Sequence, residues 1–137
     1  MISIKPDGIF RGLIGEILKF IEDNGYHLLL MKLVMANLEK IKAHLIKKEG
    51  KSYLEPLVSS YINKPMLVSV WEGIDMNHTL DVHKGRADPL KGDPASIRYI
   101  YSIKKFRNCV HVSESPQEAL HDIKVWFSDE EMKQIDL

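Results

Sequence analysis

Residues 107–118 read RNCVHVSESPQE. The alternation of polar and apolar residues predicts a β-strand on which Cys109, His111 and Ser113 share one face and the two valines share the other. The letters SPQE that close the segment form a capping box with proline at the first helical position, so an α-helix is predicted to begin there. His111 is therefore expected at the end of a strand, just before a helix, near the mouth of an α/β layer.

The chain before this segment also alternates between strands and helices. Two isoleucines near the N-terminus predict a short strand, which the turn Lys5-Pro6-Asp7-Gly8 ends. The apolar run Tyr26–Met35 predicts a strand that is covered on both faces or paired across an interface. Met66–Trp71 predicts a third strand, residues 97–105 are ambiguous, and helical spacing predicts helices at residues 13–21, 38–45, 53–62 and 75–84.

Without the inserted helices, this order is close to βαββαβ, the ferredoxin-like plan. The predicted fold class is therefore α+β, a sandwich in which helices cover a four-stranded antiparallel sheet. The loop Arg86–Ser96 contains two prolines and several charges, and its length suggests a function.

The composition predicts one soluble domain over residues 1–137, with 45% apolar and 28% charged residues. Lys and Arg total 19, as do Asp and Glu, so no general field attracts nucleic acid and we expect no nucleic-acid partner. The single cysteine, Cys109, fits a reducing compartment. Because no apolar run approaches ~20 residues and no signal peptide is evident, we expect a cytoplasmic protein without a membrane partner.

The common signatures of phosphate and metal sites are absent from the sequence. The chain has neither GxxxxGK[ST] nor GxGxxG, and it lacks CxxC and HExxH, so no protein-bound metal is predicted. Lys5, at the end of the first strand, can direct its ammonium at a phosphate, although a lysine in a turn is often simply solvated. His111 can act as a nucleophile, although a lone histidine is more often structural.

These segments resemble the nucleoside diphosphate kinase family, and the similarity runs without gaps from Ile2 to about Met132. One piece alone is a modest signal, whereas all of them at the right mutual spacing are highly specific. The pieces are IKPDG at 4–8, RGLIGEI at 11–17, VWEG at 70–73, Arg107-Asn108 with His111, and WFSDEE at 126–131.

The resemblance implies a ferredoxin-like sandwich that assembles into tetramers or hexamers built from dimers. It also implies a ping-pong reaction, in which a histidine takes the γ-phosphoryl group of ATP and passes it to another nucleoside diphosphate. The expected cofactor is Mg²⁺, carried by the phosphates of ATP, ADP or another nucleotide, and the expected partners are nucleoside di- and triphosphates.

The resemblance also assigns roles to individual residues. His111 falls on the nucleophile position, and Ser113 and Asp122 fall on the hydroxyl and the acid that hold it, so these three form the predicted catalytic set. The predicted nucleotide-binding residues are Lys5, Arg98 and Asn108 at phosphate- and ribose-contacting positions, Tyr53 at the position that stacks on the base, and Leu57 beside it.

The departures from the family pattern are concentrated in the site. Asp81 stands where the family has a phosphate-binding arginine, and losing a charged donor costs roughly 1.5–3 kcal/mol. Ala87 replaces a threonine that donates a hydroxyl. Arg86, one residue earlier, is predicted to replace the lost cation, together with Lys84 or Lys91. The other departures are Leu45, Lys105, Phe106, Val112 and the shorter acid Asp122.

Two functions stay open on the sequence alone. The retained Lys5, Arg98, Asn108 and His111 favour an active kinase, whereas the substitutions favour a non-catalytic relative that binds nucleotide or acts as a scaffold oligomer. The assigned roles also have ordinary alternatives: Lys5 and Arg98 as surface charges, Tyr53 as a core residue, Ser113 as the start of a turn, and Asp122 as an exposed helix carboxylate.

Overall fold

The chain forms a four-stranded antiparallel sheet in the computed structural model, which describes residues 1–105 and 107–135, and of Asn77 the backbone alone. The strands are β1 (Ile2–Ile4), β2 (His27–Met35), β3 (Pro65–Glu72) and β4 (Val110–Val112), and they lie in the order β2-β3-β1-β4. This order, with helices between the strands, confirms the predicted ferredoxin-like plan. Phe106, one of the departures, lies outside the described residues.

The helices lie close to the predicted positions. The segment that the sequence left ambiguous begins with a helix, and the Ser115 hydroxyl caps the helix after β4 by accepting from the Glu118 backbone N–H at 3.1 Å. No helix of the described residues is both long and apolar enough to cross a membrane. The helices are α1 (Pro6–Phe10), α2 (Ile14–Asp23), α3 (Leu38–His44), α4 (Leu54–Tyr61), α5 (Met76–Lys84), α6 (Ile97–Tyr101), α7 (Pro116–Trp126) and α8 (Asp129–Met132), with 3-10 helices at Ile46–Lys48 and Pro89–Lys91.

Two hydrophobic clusters pack on opposite faces of the sheet, because alternate residues of a strand point to opposite sides. In β3, Leu67 and Trp71 join the cluster that contains Ile17 and Ile21 of α2. Val68 and Val70 join the other cluster, which includes Ile41, Tyr61, Trp126 and Phe127. The second cluster supports α3, α4 and α7, and these three helices border the cleft described below.

The edge strand β2 corrects one sequence prediction. It pairs with β3 alone among the described strands, and Met31, Leu33 and Met35 are 47–64% exposed, so the strand is not covered on both faces. The run is almost uniformly apolar because Leu30 and Val34 face the second cluster and the side chains that face outward are apolar as well. The other interpretation, pairing across an interface, stays a prediction.

The predicted turn at residues 5–8 is also wrong, because these residues enter α1. Pro6 stands at the first helical position, where its fixed φ suits a helix and its missing N–H costs nothing. The Asp7 carboxylate accepts from the Cys109 backbone N–H at 3.1 Å. A Cβ on Gly8 would lie 2.9 Å from the Ile4 side chain, so a close approach of the chains requires the glycine. Proline, aspartate and glycine suit a turn and this helix start equally well.

Cys109 corrects the predicted alternation before β4. Its φ is 68°, and its side chain is buried in the cluster that holds Val110 and Val112 rather than on the face of His111. The Val110 backbone N–H donates to the Asn108 carbonyl at 2.8 Å, which closes a tight turn around Cys109. Regular strand geometry therefore begins only at Val110.

Gly85 ends α5 in a conformation that is almost restricted to glycine, with φ 88° and ψ 178°. An alanine Cβ there would overlap Ser96 Oγ and lie 2.8 Å from Ser96 Cβ. We expect Gly85→Ala to lower the free energy of unfolding by roughly 2 kcal/mol or more, measured by urea denaturation.

The matched control is Gly50→Ala. Gly50 also has a positive φ, 81°, but among the described residues no heavy atom beyond Gly50 and its two chain neighbours lies within 4 Å of an added Cβ. Gly50→Ala should lower the free energy of unfolding only by the cost of the positive φ. Equal losses of free energy in the two variants would contradict the proposed overlap at position 85.

Candidate active site

A cleft of about 390 Å³ opens between α3, α4, α7 and the C-terminal end of α5. Seven of the nine residues predicted for the site line it: Lys5, Tyr53, Leu57, Arg98, Asn108, His111 and Asp122. Of the other two, Ser113 does not line the cleft but hydrogen-bonds to Asp122, which does. Arg86 is exposed and lines a neighbouring cleft of about 580 Å³.

His111 lies at the centre of β4, opposite Ser3 of β1, with 20% of its side chain exposed to the cleft. Its Nε2 lies 3.1 Å from Asp122 Oδ2. The Ser113 hydroxyl donates to the same oxygen at 2.7 Å. Asp122 is therefore no exposed helix carboxylate: its side chain is 2% exposed, and it joins His111 to Ser113.

The charges of this pair follow from their surroundings. Burial alone would raise the pKa of Asp122, but the hydrogen bond with His111 and the contact with His44 hold it well below its ordinary value. Burial, and then the nearby His44 ring, lower the pKa of His111 to about 4. At neutral pH the carboxylate is ionised and the imidazole is neutral, so Nε2 donates to Asp122 and Nδ1 keeps its lone pair.

His44 is a member of the site that the sequence analysis missed. Its ring centroid lies 4.4 Å from that of His111, and its Nδ1 lies 3.5 Å from Asp122 Oδ1. It is buried at the end of α3, one helical turn after Ile41, so its position on the apolar face of that helix was a usable signal.

His44, His111 and Asp122 place potential metal-ligand atoms within 4.8 Å of one another. The indole N–H of Trp126 donates to His44 Nδ1 at 3.2 Å, and Asp122 already accepts from His111 and Ser113. His44 Nδ1, His111 Nε2 and Asp122 Oδ2 are thus engaged in hydrogen bonds, so the arrangement is better suited to orienting His111.

Lys5 forms the floor of the cleft. It is buried, its Nζ donates to Asn108 Oδ1 at 3.0 Å, and it lies 5.1 Å from the centre of the Tyr61 ring. Burial, and then the charge of Arg98, lower the pKa of Lys5 to about 8. Lys5 is therefore no solvated turn residue, because the fold holds its ammonium inside the cleft.

Asn108 and Arg98 join the loops around the cleft. The Asn108 amide N–H groups donate to the carbonyls of Ala87 and Lys105 at 3.1 and 2.7 Å. The Arg98 guanidinium donates to the Val110 carbonyl at 2.7 Å, and burial lowers its pKa. Arg98 bonds to carbonyls rather than to a carboxylate, so its positive charge stays available to an anion.

Tyr53 and Leu57 line the cleft from α4 and the residue before it, and both are half-buried. The Nζ atoms of Lys48 and Lys105 lie 5.9 and 5.8 Å from the Tyr53 ring centre. The buried tyrosine of this helix is Tyr61, so the alternative of Tyr53 as a core residue is wrong. Its ring offers a face on which a planar group can stack.

Asp81 lines only the neighbouring cleft and forms an ion pair with Lys84 at 2.9 Å, which lowers the pKa of Asp81. Ala87 is exposed and lines both clefts, whereas Leu45 and Val112 are buried against the wall. The negative charge of Asp81, which stands in place of the expected arginine, is thus offset by the ammonium of Lys84 beside it.

Comparison with known proteins agrees with the fold and the cleft. The family model for nucleoside diphosphate kinase matches residues 1–132. A nucleoside diphosphate kinase of Carboxydothermus hydrogenoformans is 37% identical over 131 residues, 96% of this chain and 88% of that protein.

Two solved structures are similar as well. The nucleoside diphosphate kinase of Encephalitozoon cuniculi has a TM-score of 0.90 at 28% identity and covers 95% of this chain and 88% of its own. The enzyme of Halobacterium salinarum, in complex with CDP, has a TM-score of 0.88 at 30% identity and covers 95% of this chain and 87% of its own.

A ferredoxin-like sheet with a carboxylate-bound histidine and buried cations in one cleft defines an α+β protein suited to phosphate chemistry. The matches of sequence and structure assign the chain to one family within this class. The chain belongs to the nucleoside diphosphate kinase family, as the resemblance predicted.

Proposed function

We propose that this protein is a nucleoside diphosphate kinase that works by ping-pong transfer through His111. The observation that carries the proposal is the pairing of His111 Nε2 with the ionised Asp122 at 3.1 Å, which leaves the neutral Nδ1 as the attacking atom. In the first half-reaction Nδ1 bonds to the γ-phosphorus of ATP, and the bond from that phosphorus to the β-γ bridging oxygen breaks, so ADP leaves.

The second half-reaction reverses these bonds with a different acceptor. A β-phosphate oxygen of an incoming nucleoside diphosphate bonds to the phosphorus on His111, and the P–N bond breaks. The imidazole then returns to its neutral form with Nε2–H still on Asp122. No group of the protein has to change its net protonation over the cycle, which suits a reaction that depends mainly on positioning and charge.

The proposed nucleotide contacts follow from the cleft. Lys5, Arg98 and Asn108 would bind phosphate and ribose oxygens, while Tyr53 and Leu57 would hold the base. Stacking on an aromatic face accepts every base, so broad nucleotide use is expected. The CDP in the Halobacterium salinarum complex supports a nucleotide ligand in this family. The prediction that Arg86 supplies an additional cation remains part of this proposal.

Mg²⁺ is proposed to arrive on the nucleotide. The carboxylates of Glu114, Glu118 and Asp122, which line the cleft, contact Lys84, Lys47 and His111, respectively. The proposed phosphate contacts are cations and an amide. These groups suit phosphate oxygens rather than a protein cage for a hard cation. When bound, Mg²⁺ would neutralise charge on the β- and γ-phosphates.

Incubation with γ-labelled ATP and Mg²⁺ tests the proposal. The expected product is an acid-labile, alkali-stable phosphate on the chain, which disappears when unlabelled GDP is added and reappears as labelled GTP. Absence of label at millimolar ATP, in protein that binds ADP, would favour the second candidate, a nucleotide-binding or scaffold member of the family. That candidate is supported by Asp81 and Ala87, which replace two donors of the family pattern.

We further propose a homo-oligomer of dimers, either tetramer or hexamer, and a cytoplasmic location. The exposed Met31, Leu33 and Met35 on the outer face of β2 support an interface there. The balanced charge of the chain gives no support to a nucleic-acid partner.

The pH dependence of kcat/KM should report Lys5 and His111 in the free protein. Since burial lowers the pKa of Lys5 to about 8, its ammonium is lost as the pH rises through that value. Phosphate binding needs the ammonium, so kcat/KM should fall roughly tenfold per pH unit above it.

On the acid side, His111 with a pKa of about 4 stays neutral well below the ordinary histidine range. The acid limb due to this imidazole should therefore lie near pH 4 rather than near 6.5. A steady-state profile that is level from pH 7 to 10, or that loses activity at pH 6.5, would argue against these assignments.

A further inference from the structure

Lys84 is a buried cation that the sequence suggested only as an alternative to Lys91 beside Arg86, and the proposed nucleotide contacts give it no role. Its side chain is 7% exposed, and it ends α5 where the cleft of His111 meets the neighbouring cleft, lining both. Its Nζ lies 2.9 Å from Asp81 Oδ1 and 3.4 Å from Glu114 Oε1. An ammonium has three N–H donors, so two such contacts leave a donor for another oxygen.

The two carboxylates position Lys84 but do not close it off. Their side chains are 70% and 67% exposed, so water solvates them well and their hold on the ammonium is weak. Asp81 lies three residues earlier on the same helix, and Glu114 follows β4, so together they fix the direction of a long, flexible side chain. Lys84 is thereby held at the wall of the cleft before any ligand arrives.

The charges around Lys84 favour an anion. The Arg98 guanidinium donates to the carbonyl of Gly85, the residue after Lys84, at 3.4 Å, and the charge of Arg98 lowers the pKa of buried Lys5. Lys5 and Arg98 contact neutral amide and carbonyl oxygens. Three cations, Lys5, Arg98 and Lys84, therefore line one cleft, and the two carboxylates that contact Lys84 are exposed, an arrangement that a multiply charged anion would stabilise.

The position along the cleft indicates which part of a nucleotide would meet Lys84. Tyr53 and Leu57 line the His111 cleft but not the neighbouring one, whereas Lys84 and Arg98 line both clefts. A nucleotide with its base on Tyr53 would thus extend its phosphates toward Lys84. We infer that Lys84 binds the outer phosphates of nucleoside di- and triphosphates and so sets the preference for them over monophosphates.

This inference rests on the proposed nucleotide site but not on phosphoryl transfer. It also selects Lys84 from the two lysines predicted to act beside Arg86, because Lys91 and the exposed Arg86 line the neighbouring cleft but not the cleft of His111. Lys19 is the control, because it also pairs with an aspartate, Asp23 at 2.6 Å, but is 72% exposed and lines neither cleft.

Calorimetric titration with Mg-ADP and with AMP tests the inference. Lys84→Met keeps the apolar stem and removes the charge, and should weaken ADP binding at least about tenfold, the effect of one lost charge-assisted hydrogen bond. AMP binding should change less than about threefold on the same reasoning. Lys84→Arg should keep the preference for ADP, and Lys19→Met should leave both affinities unchanged.

The outcomes separate this inference from the proposed function. If Lys84→Met is folded by thermal unfolding and binds ADP within threefold of the wild type, Lys84 is not a phosphate contact, whatever the kinase activity. If Lys84→Met does not fold, Lys84→Arg decides, because loss of the ADP preference in that variant, which retains the cation, overturns the inference. A protein that binds ADP through Lys84 but never becomes labelled by ATP would refute the kinase proposal alone.

Discussion

His111→Ala is expected to abolish both labelling by γ-labelled ATP and phosphate transfer to GDP, with a loss in kcat of at least about 10⁴-fold. The reason is that the proposed path has one nucleophile, and water bound in an alanine-sized space has no equivalent of the oriented Nδ1. The binding of ADP should change little, because the proposed phosphate contacts are Lys5, Arg98 and Lys84 rather than the imidazole. Labelling and steady-state transfer measure the first effect, and ADP titration measures the second.

The control for this experiment is His27→Ala. His27 is exposed at the start of β2 and does not line either cleft, so its removal should leave labelling and transfer unchanged. Undiminished labelling of His111→Ala would mean that another residue is phosphorylated, and would refute the proposed mechanism.

Asp122→Asn is expected to lower kcat by about 10² to 10⁴-fold while ADP affinity stays within about threefold. An amide has nearly the shape of the carboxylate, but its NH₂ group can donate to His111 Nε2. The imidazole would then carry its proton on Nδ1, the proposed attacking atom, and would have no lone pair there. Asp122 is thus a positioning residue, whose effect should fall on kcat rather than on KM.

Asp122→Glu separates this role from a purely structural one. The glutamate restores the charge and should recover part of kcat, although its longer side chain has to fit between Ser113 and His44. Both variants need a thermal unfolding measurement, since Asp122 is buried and hydrogen-bonded. A folded Asp122→Asn with kcat within fivefold of the wild type would mean that the carboxylate does not set the tautomer.

The two predictions depend on different parts of the same contact. His111→Ala tests which atom receives the phosphoryl group, whereas Asp122→Asn tests how that atom is kept unprotonated. If kcat fell strongly in His111→Ala but not in Asp122→Asn, His111 would remain the nucleophile. A neighbour other than Asp122 would then orient its ring, and His44 is the nearest ring among the described residues.

The order of strands and helices could be predicted from local patterns alone. Alternation, capping and helical spacing depend on residues a few positions apart, so the four strands, the capped helix α7 and the ferredoxin-like plan followed from them. The errors lay where local patterns are degenerate. Residues 6–10 suit a turn as well as a helix start, and Tyr26–Met35 is apolar on both faces although one of them is exposed.

The sequence by itself also determined the family and the residue types of the site, because the motif residues and their spacing can be read directly from the chain. Only the tertiary structure decided how those residues act on one another. The inclusion of His44, the ion pair between Asp81 and Lys84, and the burial that lowers the pKa of Lys5 all join residues from different elements. Charge and desolvation act through space, so their effects are fixed only when the helices and strands have packed.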